Sequence, residues 1–199
     1  MKNSVARKIK AELQQRYPSI EANIDEMFPK KETMVVYKTK DKVQFLVVKG
    51  EAMFFSDRNG PFFPTLRLVH KCTSSISSIL CFIGACVDSR PMCWTNFSCL
   101  SFFLVPDMLP KLQVDRGAIP FVLKGAPIMA VGITSKGGKI FEELEAKTLV
   151  QIVAEGKEHA IAVGMTAMST QEMVSGTKRG AGVENIHYLG DGLWHDYEF

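Results

Sequence analysis

The sequence has no cysteine outside residues 72–99, and inside that window Cys72, Cys81, Cys86, Cys93 and Cys99 never form a Cys-x-x-Cys pair. The intervening gaps of 8, 4, 6 and 5 residues do not fit a structural zinc site, which is usually built on close pairs. Its four histidines, His70, His159, His187 and His195, are scattered without metal-ligand spacing. No Gly-x-Ser-x-Gly elbow and no phosphate-binding loop occurs. The glycine-containing stretch from Thr177 to Gly182 follows a predicted helix rather than a strand. These absences predict a protein that is not an enzyme and that needs no metal or cofactor. Long apolar runs are also missing. Asp88 and Arg90 divide the most apolar stretch into two halves, each shorter than the roughly 18–20 residues a membrane span needs. The first ten residues carry Lys2, Arg7, Lys8 and Lys10 and no apolar core, so no secretory leader is read and a cytoplasmic location is expected. A disulfide framework conflicts with that location.

Charge of one sign is scarce overall: the net charge is only +3. Its distribution is more informative. Residues 1–71 hold 14 Lys/Arg against 8 Asp/Glu, a balance of +6, whereas residues 106–199 hold 9 against 12, a balance of −3. The basic half is the better candidate for meeting phosphates, because neutralising them releases counterions. A solvated face without a ligand is the alternative.

Within that half, Val5, Ile9 and Leu13 recur every four residues, with Arg7, Lys8, Lys10 and Glu12 between them. That spacing predicts an amphipathic helix with a basic outer face. Pro18 ends it, Ser19 is placed to cap the next helix, and Ile20, Ile24, Met27 and Phe28 form a second apolar stripe. Lys30 and Lys31 stand where cations favour a helix C-terminus. Strands are expected at 34–38, 43–48 and 52–55, with Lys49-Gly50 and Asn59-Gly60 as turns. Lys38, Lys40 and Lys42 cluster at the first hairpin, as phosphate contacts or as a solvated turn. Thr65 is placed to cap a helix carrying Leu66, Leu68 and Val69.

The second half opens on the stretch from Gln113 to Ile133. It predicts a short strand, a helix capped by Asp115 with Ala118, Phe121 and Val122 on one face, and Gly125 in the left-handed conformation that ends it. A buried strand is expected over 128–133. Residues 149–154 and 159–164 predict a hairpin, Ser169 to Glu172 a capping box, and 183–188 a last strand. Met165, Met168 and Met173 read as core filler.

The order Asp115-x-Gly-Ala, then Phe121-Val-Leu-x-Gly-Ala-x-Ile-Met, resembles the opening of a PUA domain, an RNA-binding module. Val153 to Gly164 resembles its later strand pair. With Gly180 to His195 and Gly60 to Lys71, the chain resembles the malignant T-cell-amplified sequence family of translation factors. The resemblance implies an α+β fold: a small N-terminal α+β domain (1–111), then a C-terminal PUA pseudo-barrel of mixed β-structure with short helices (112–199). By position it implies RNA contacts at Gly125, Ala126, Met129 and Gly132, with Val163, Gly164, Thr166 and Met168 lining the other side. It also implies a ribosome-binding basic face of Lys8, Lys10, Lys30, Lys31, Lys38, Lys40 and Lys42. The implied partners are the density-regulated protein, the rRNA of the small (40S) ribosomal subunit and the acceptor end of tRNA, with no membrane. The implied activity is tRNA release in ribosome recycling, and translation reinitiation. A PUA subunit that delivers an RNA-modifying enzyme to its RNA is the alternative.

Two departures stand out. Residues 72–105 interrupt the pattern between His70-Lys71 and Pro106 to Pro110, and they read as a translated retained intron or a gene-annotation error rather than a functional insert. Family members commonly carry a further short segment ahead of the Lys-x-Ser-Val motif at which this chain starts.

Overall fold

The computed structural model describes residues 3–28, 34–40, 42–58, 60–73, 108–176 and 180–195. The segment 74–107, and Lys30 and Lys31 with it, lie outside the described residues. The chain divides into two units, Met1–Phe63 with Lys71–Met108, and Pro64–His70 with Leu109–Phe199. Residues 64–70, expected in the first domain, fall within the second of these units. Among the described residues, no helix is long and apolar enough to cross a membrane.

The first unit begins with α1 (Asn3–Arg16), a 3-10 helix (Pro18–Asn23) and α2 (Ile24–Met27). Ile9 and Leu13 are buried as their spacing predicts, but Val5, on the same stripe, is 44% exposed. Ser19, expected to cap the next helix, lies inside the 3-10 helix rather than ahead of it, and its hydroxyl donates to the Met108 carbonyl at 3.2 Å. Proline at 18 and the tight turn after it spend that side chain on a distant acceptor. The sheet β1 (Val35–Lys38), β2 (Gln44–Val48), β3 (Glu51–Ser56) and β4 (Phe63–Pro64) runs in that order. Lys49 (φ 57°) and Gly50 (φ 79°) both take left-handed conformations between β2 and β3, the twist a two-residue hairpin turn demands. Phe54, fully buried, packs its ring 6.0 Å from Tyr17 and 6.4 Å from Phe28. The Tyr17 hydroxyl donates to the Phe62 carbonyl at 2.7 Å, and burial pushes its phenol up to about 12.

Helix α3 (Leu66–Thr73) starts at Thr65, whose hydroxyl accepts the Leu68 N–H at 3.3 Å. The second unit then runs β5 (Lys111–Val114), α4 (Ile119–Val122), β6 (Ile128–Met129), α5 (Ala130–Thr134), β7 (Lys139–Ile140), β8 (Leu149–Ala154), β9 (Ala160–Thr166), α6 (Thr170–Ser175), β10 (Ala181–Tyr188) and α7 (Gly192–His195). Its six-stranded sheet has the order β6-β10-β9-β8-β5-β7. The pairing is antiparallel except for β5 with β8, which are parallel. Leu112, Val114, Val150, Ile152, Ala162 and Val183 meet Ile128, Ile133 and Met173 in one core.

The strand expected over 128–133 does not run its full length. Only Ile128 and Met129 are extended, and the chain turns into α5 at Ala130. Burial alternates at first and then skips to Ile133. A short, wholly apolar run does not announce that switch, because both periods fit it. The capping box at Ser169 is present: its hydroxyl accepts the Glu172 N–H at 3.3 Å, and Glu172 returns a carboxylate to the Ser169 N–H at 3.1 Å. Replacing Ser169 with alanine is expected to cost about 1 kcal/mol, read as a lower urea midpoint; an unchanged midpoint would contradict the cap.

Candidate nucleic-acid interface

One face of the second unit is built by α4, the loop after it, β6 and the start of α5. At its entrance the Asp115 carboxylate accepts the Ala118 N–H at 2.9 Å. This closes the turn ahead of α4 rather than the first turn of the helix itself, whose N-cap residue is Ala118. Val122 points into the core, but Phe121 is 63% exposed, so the expected pairing of the two on one buried face does not hold. A four-residue helix lying on the sheet can bury only one side. Gly125 has φ +79° and ends the helix as expected, its N–H bonded to the Val122 carbonyl at 3.0 Å.

The exposed surface here is apolar and basic together. Met129 is 52% exposed and Val131 68%, with Leu123 and Phe121 exposed on α4 and its end. Lys124 is exposed between them, and so is Arg116 on the turn ahead. Arg116 stands 3.8 Å from the Glu155 carboxylate, an exposed pair that leaves most of its surface in solvent. Phe121, Leu123 and Lys124 were missed from the sequence. The signal that could have found them was the shortness of a helix with three large apolar residues and only one side to bury.

The predicted contacts separate into two groups. Ala126 is partly exposed and Met129 largely so, which leaves both available on this face. Gly125 is partly exposed, but its α-carbon is pressed against a ring: a Cβ there would meet Tyr188 Cε1 at 2.8 Å. Gly132 serves packing, since a Cβ there would lie 3.2 Å from Ala118 Cβ and its carbonyl accepts the Asp115 N–H at 3.0 Å. Val163, Gly164, Thr166 and Met168, expected on the other side, are buried, so any contact there would be made through backbone. Thr166 spends its hydroxyl internally, donating to the Glu145 carbonyl at 2.7 Å and accepting the Thr148 N–H at 2.9 Å. These four lie on or just after β9, a central strand covered on both faces, and glycine there fits a neighbouring strand.

In the first unit, Lys8, Lys38, Lys40 and Lys42 are exposed. Lys10 is engaged: its ammonium donates to the Phe28 carbonyl at 2.7 Å and lies 5.3 Å from the centre of the Phe28 ring. It fastens α1 to the end of α2, and this sets it apart from the lysines around it.

Three histidines that the sequence scatters meet in the second unit. The His70 ring lies 5.3 Å from that of His159 and 5.5 Å, edge-on, from Trp194. His70 Nε2 donates to the Ala160 carbonyl at 2.5 Å. His187, fully buried, donates from Nδ1 to the Asp191 carboxylate at 2.6 Å. Among the described residues, no group of three or more His, Cys, Asp or Glu could hold a metal ion. Burial lowers the His70 pKa against its bond to Ala160, with His159 and His187 adding to the lowering. Burial likewise lowers that of His187 against the opposing pull of Asp191. Both are held neutral when folded, so their contribution to stability is complete above the unfolded value of about 6.5. It is lost as pH falls from there through the depressed folded values. Thermal melts are therefore expected to show stability dropping between pH 7 and pH 5, and a His187→Phe variant to flatten that drop. An equal drop in the variant would assign the effect elsewhere.

Residues 1–72 match the Pre-PUA-like domain family and residues 110–189 the PUA domain family. The chain is 39% identical over 195 residues to malignant T-cell-amplified sequence 1 of Rattus norvegicus, covering 98% of this chain and 88% of that protein. It belongs to the malignant T-cell-amplified sequence family. Translation machinery-associated protein 20 of Schizosaccharomyces pombe is likewise 39% identical over 194 residues, with the same coverage. The fold agrees with solved structures. A hypothetical protein of Pyrococcus horikoshii OT3 superposes with a TM-score of 0.64 at 22% identity, over 98% of this chain and 95% of that one. A PUA domain protein of Thermoplasma acidophilum gives 0.59 at 20% identity, over 99% and 97%. The second unit thus has the PUA fold that the family resemblance implied. Residues 73–109 fall between the two matched regions, and this gap takes in the interrupting stretch 72–105 except Cys72.

Proposed function

We propose that this chain is a non-catalytic, RNA-binding translation factor that works on the small ribosomal subunit with the density-regulated protein. Its role would be the release of deacylated tRNA in ribosome recycling and the reinitiation of translation. The observation that carries the RNA reading is the exposure of Phe121, Leu123 and Met129 beside Lys124 on the PUA unit. Apolar and aromatic faces stack on unpaired bases, while the cation meets the backbone. The ribosomal reading is supported by membership of a family that includes a protein named translation machinery-associated. Exposed Lys8, Lys38, Lys40 and Lys42 would add a salt-dependent grip on rRNA, and Lys30 and Lys31 are proposed for the same face. Gly125 and Ala126 would let a sugar–phosphate backbone approach the loop closely.

Sucrose-gradient co-sedimentation with purified small subunits, partner present, tests this directly. The full chain and a version lacking Cys72 to Val105 are both expected to sediment with the subunit. Reversing Lys8, Lys38 and Lys40 to glutamate should weaken binding, with a shallower salt dependence. Binding by neither protein would sink the ribosomal reading, and an unchanged salt slope would remove the basic face from it.

A further inference from the structure

The loop between α4 and β6 rests on two side chains of β10. The Asn185 amide donates from Nδ2 to the Val122 carbonyl at 3.0 Å and reaches the Ala126 carbonyl at 3.5 Å. One side chain thus ties together the two ends of the loop. Its Oδ1 is buried and takes no hydrogen bond among the described residues. Burying an unmet acceptor costs free energy, so the amide stands there at a cost its two carbonyl contacts must offset. Three residues on, the Tyr188 ring lies so close to Gly125 that a Cβ would meet Cε1 at 2.8 Å and Cζ at 3.1 Å. Tyr188 is itself held, its backbone N–H donating to the Asp191 carboxylate at 3.2 Å. The left-handed turn at Gly125 is therefore fixed from beneath by a ring and at both ends by an amide.

We propose that Asn185 and Tyr188 are positioning residues for RNA: they touch no nucleotide, but they set the one loop shape that presents Phe121, Leu123, Lys124 and Met129 to unpaired bases. This rests on the RNA-binding reading above. A loop left to sample several shapes would have to be ordered on binding, and the ligand would meet that entropy cost. Fixed in advance, the loop offers its stacking faces at no such cost. The partner class follows from the same surface. Exposed apolar and aromatic faces need bases out of a duplex, so the ligand is single-stranded.

The experiment uses the full chain, a fluorescein-labelled single-stranded ten-nucleotide RNA of mixed sequence, and the same strand annealed to its complement. Anisotropy titration of the wild-type protein should give tighter binding to the single strand. Asn185→Leu removes both donated bonds at similar volume and should weaken that binding about tenfold, the loss expected for a hydrogen bond or two. Hydrogen exchange should quicken at the Gly125 and Ala126 amides while those of β8 and β9 keep their protection. The double variant with Lys124→Ala should lose less than the product of the two single losses, because both act through one loop. Should Asn185→Leu fail to fold, Tyr188→Leu carries the same readouts. Wild-type affinity in the variant, or losses that simply multiply, would overturn the positioning role and leave the RNA reading intact. A wild-type protein that binds neither RNA would overturn both, and equal binding to duplex would overturn the single-strand assignment.

Discussion

Truncation of Phe54 to alanine is expected to remove about 3–5 kcal/mol from the stability of the first unit, the largest loss of any single substitution there. The side chain is wholly buried and lies within ring-contact range of Tyr17 and Phe28. What makes the loss large is that neither neighbour can move in to fill the space. Tyr17 is anchored through its hydroxyl to the Phe62 carbonyl, and the Phe28 backbone is held by the Lys10 ammonium. A cavity that cannot collapse keeps its full penalty. Urea unfolding followed by far-ultraviolet circular dichroism, with hydrogen exchange on β2 and β3 to locate the change, measures it. A loss below about 1 kcal/mol would show that the aromatic cluster repacks, at odds with these anchors.

Gly164→Ala is the second large effect, and its cause lies in the sheet rather than at a ligand. A Cβ at this position would stand 2.6 Å from the Glu184 carbonyl oxygen and 2.6 Å from Val183 Cγ1. The carbonyl belongs to β10, which pairs with β9 across Asn185↔Gly164 and shifts register between Asn185 and His187. Relief of the clash means moving a paired strand, not rotating a side chain, so the expected cost is about 1–3 kcal/mol. Gly180→Ala is the control: a Cβ there meets nothing within 4 Å, and the change should stay within about 0.5 kcal/mol. Paired thermal melts of the two variants decide it. Equal stability would return Gly164 to the role the resemblance implied, a place where a sugar–phosphate backbone comes close. The same register shift lies beside Asn185, so Gly164→Ala should also loosen the α4–β6 loop and weaken RNA binding through it.

The two glycine positions show how sequence and structure divide the information. Gly125 was legible because its cause is local: a short helix must end, and glycine takes a left-handed conformation without a steric cost. The Thr65 and Ser169 caps and the Lys49-Gly50 turn were legible for the same reason. In each, a residue acts on backbone within four positions of itself. The crowding at Gly164 was not legible because its cause is non-local: the atoms that crowd it belong to Val183 and Glu184, on another strand. The run 128–133 failed differently, since an unbroken apolar stretch carries no period and only the packing of Ala130 and Ile133 decides where strand becomes helix.

By itself the sequence determined the family, through ordered residue strings such as Gly180 to His195. It determined the α+β class, the split of charge between the two halves, and the break in composition across 72–105. Those properties depend on residue order and on contacts close along the chain, which the string of letters contains. Only the tertiary structure decided that Phe121 faces solvent, that Val163, Thr166 and Met168 do not, and that Lys10 is spent on α2. It alone brought His70, His159 and Trp194 together and set Asn185 and Tyr188 beneath the α4–β6 loop. Each of these is a contact between segments far apart in sequence. Such contacts follow from how sheet and helix close over one core, and no periodicity within a segment encodes what its outer face will meet.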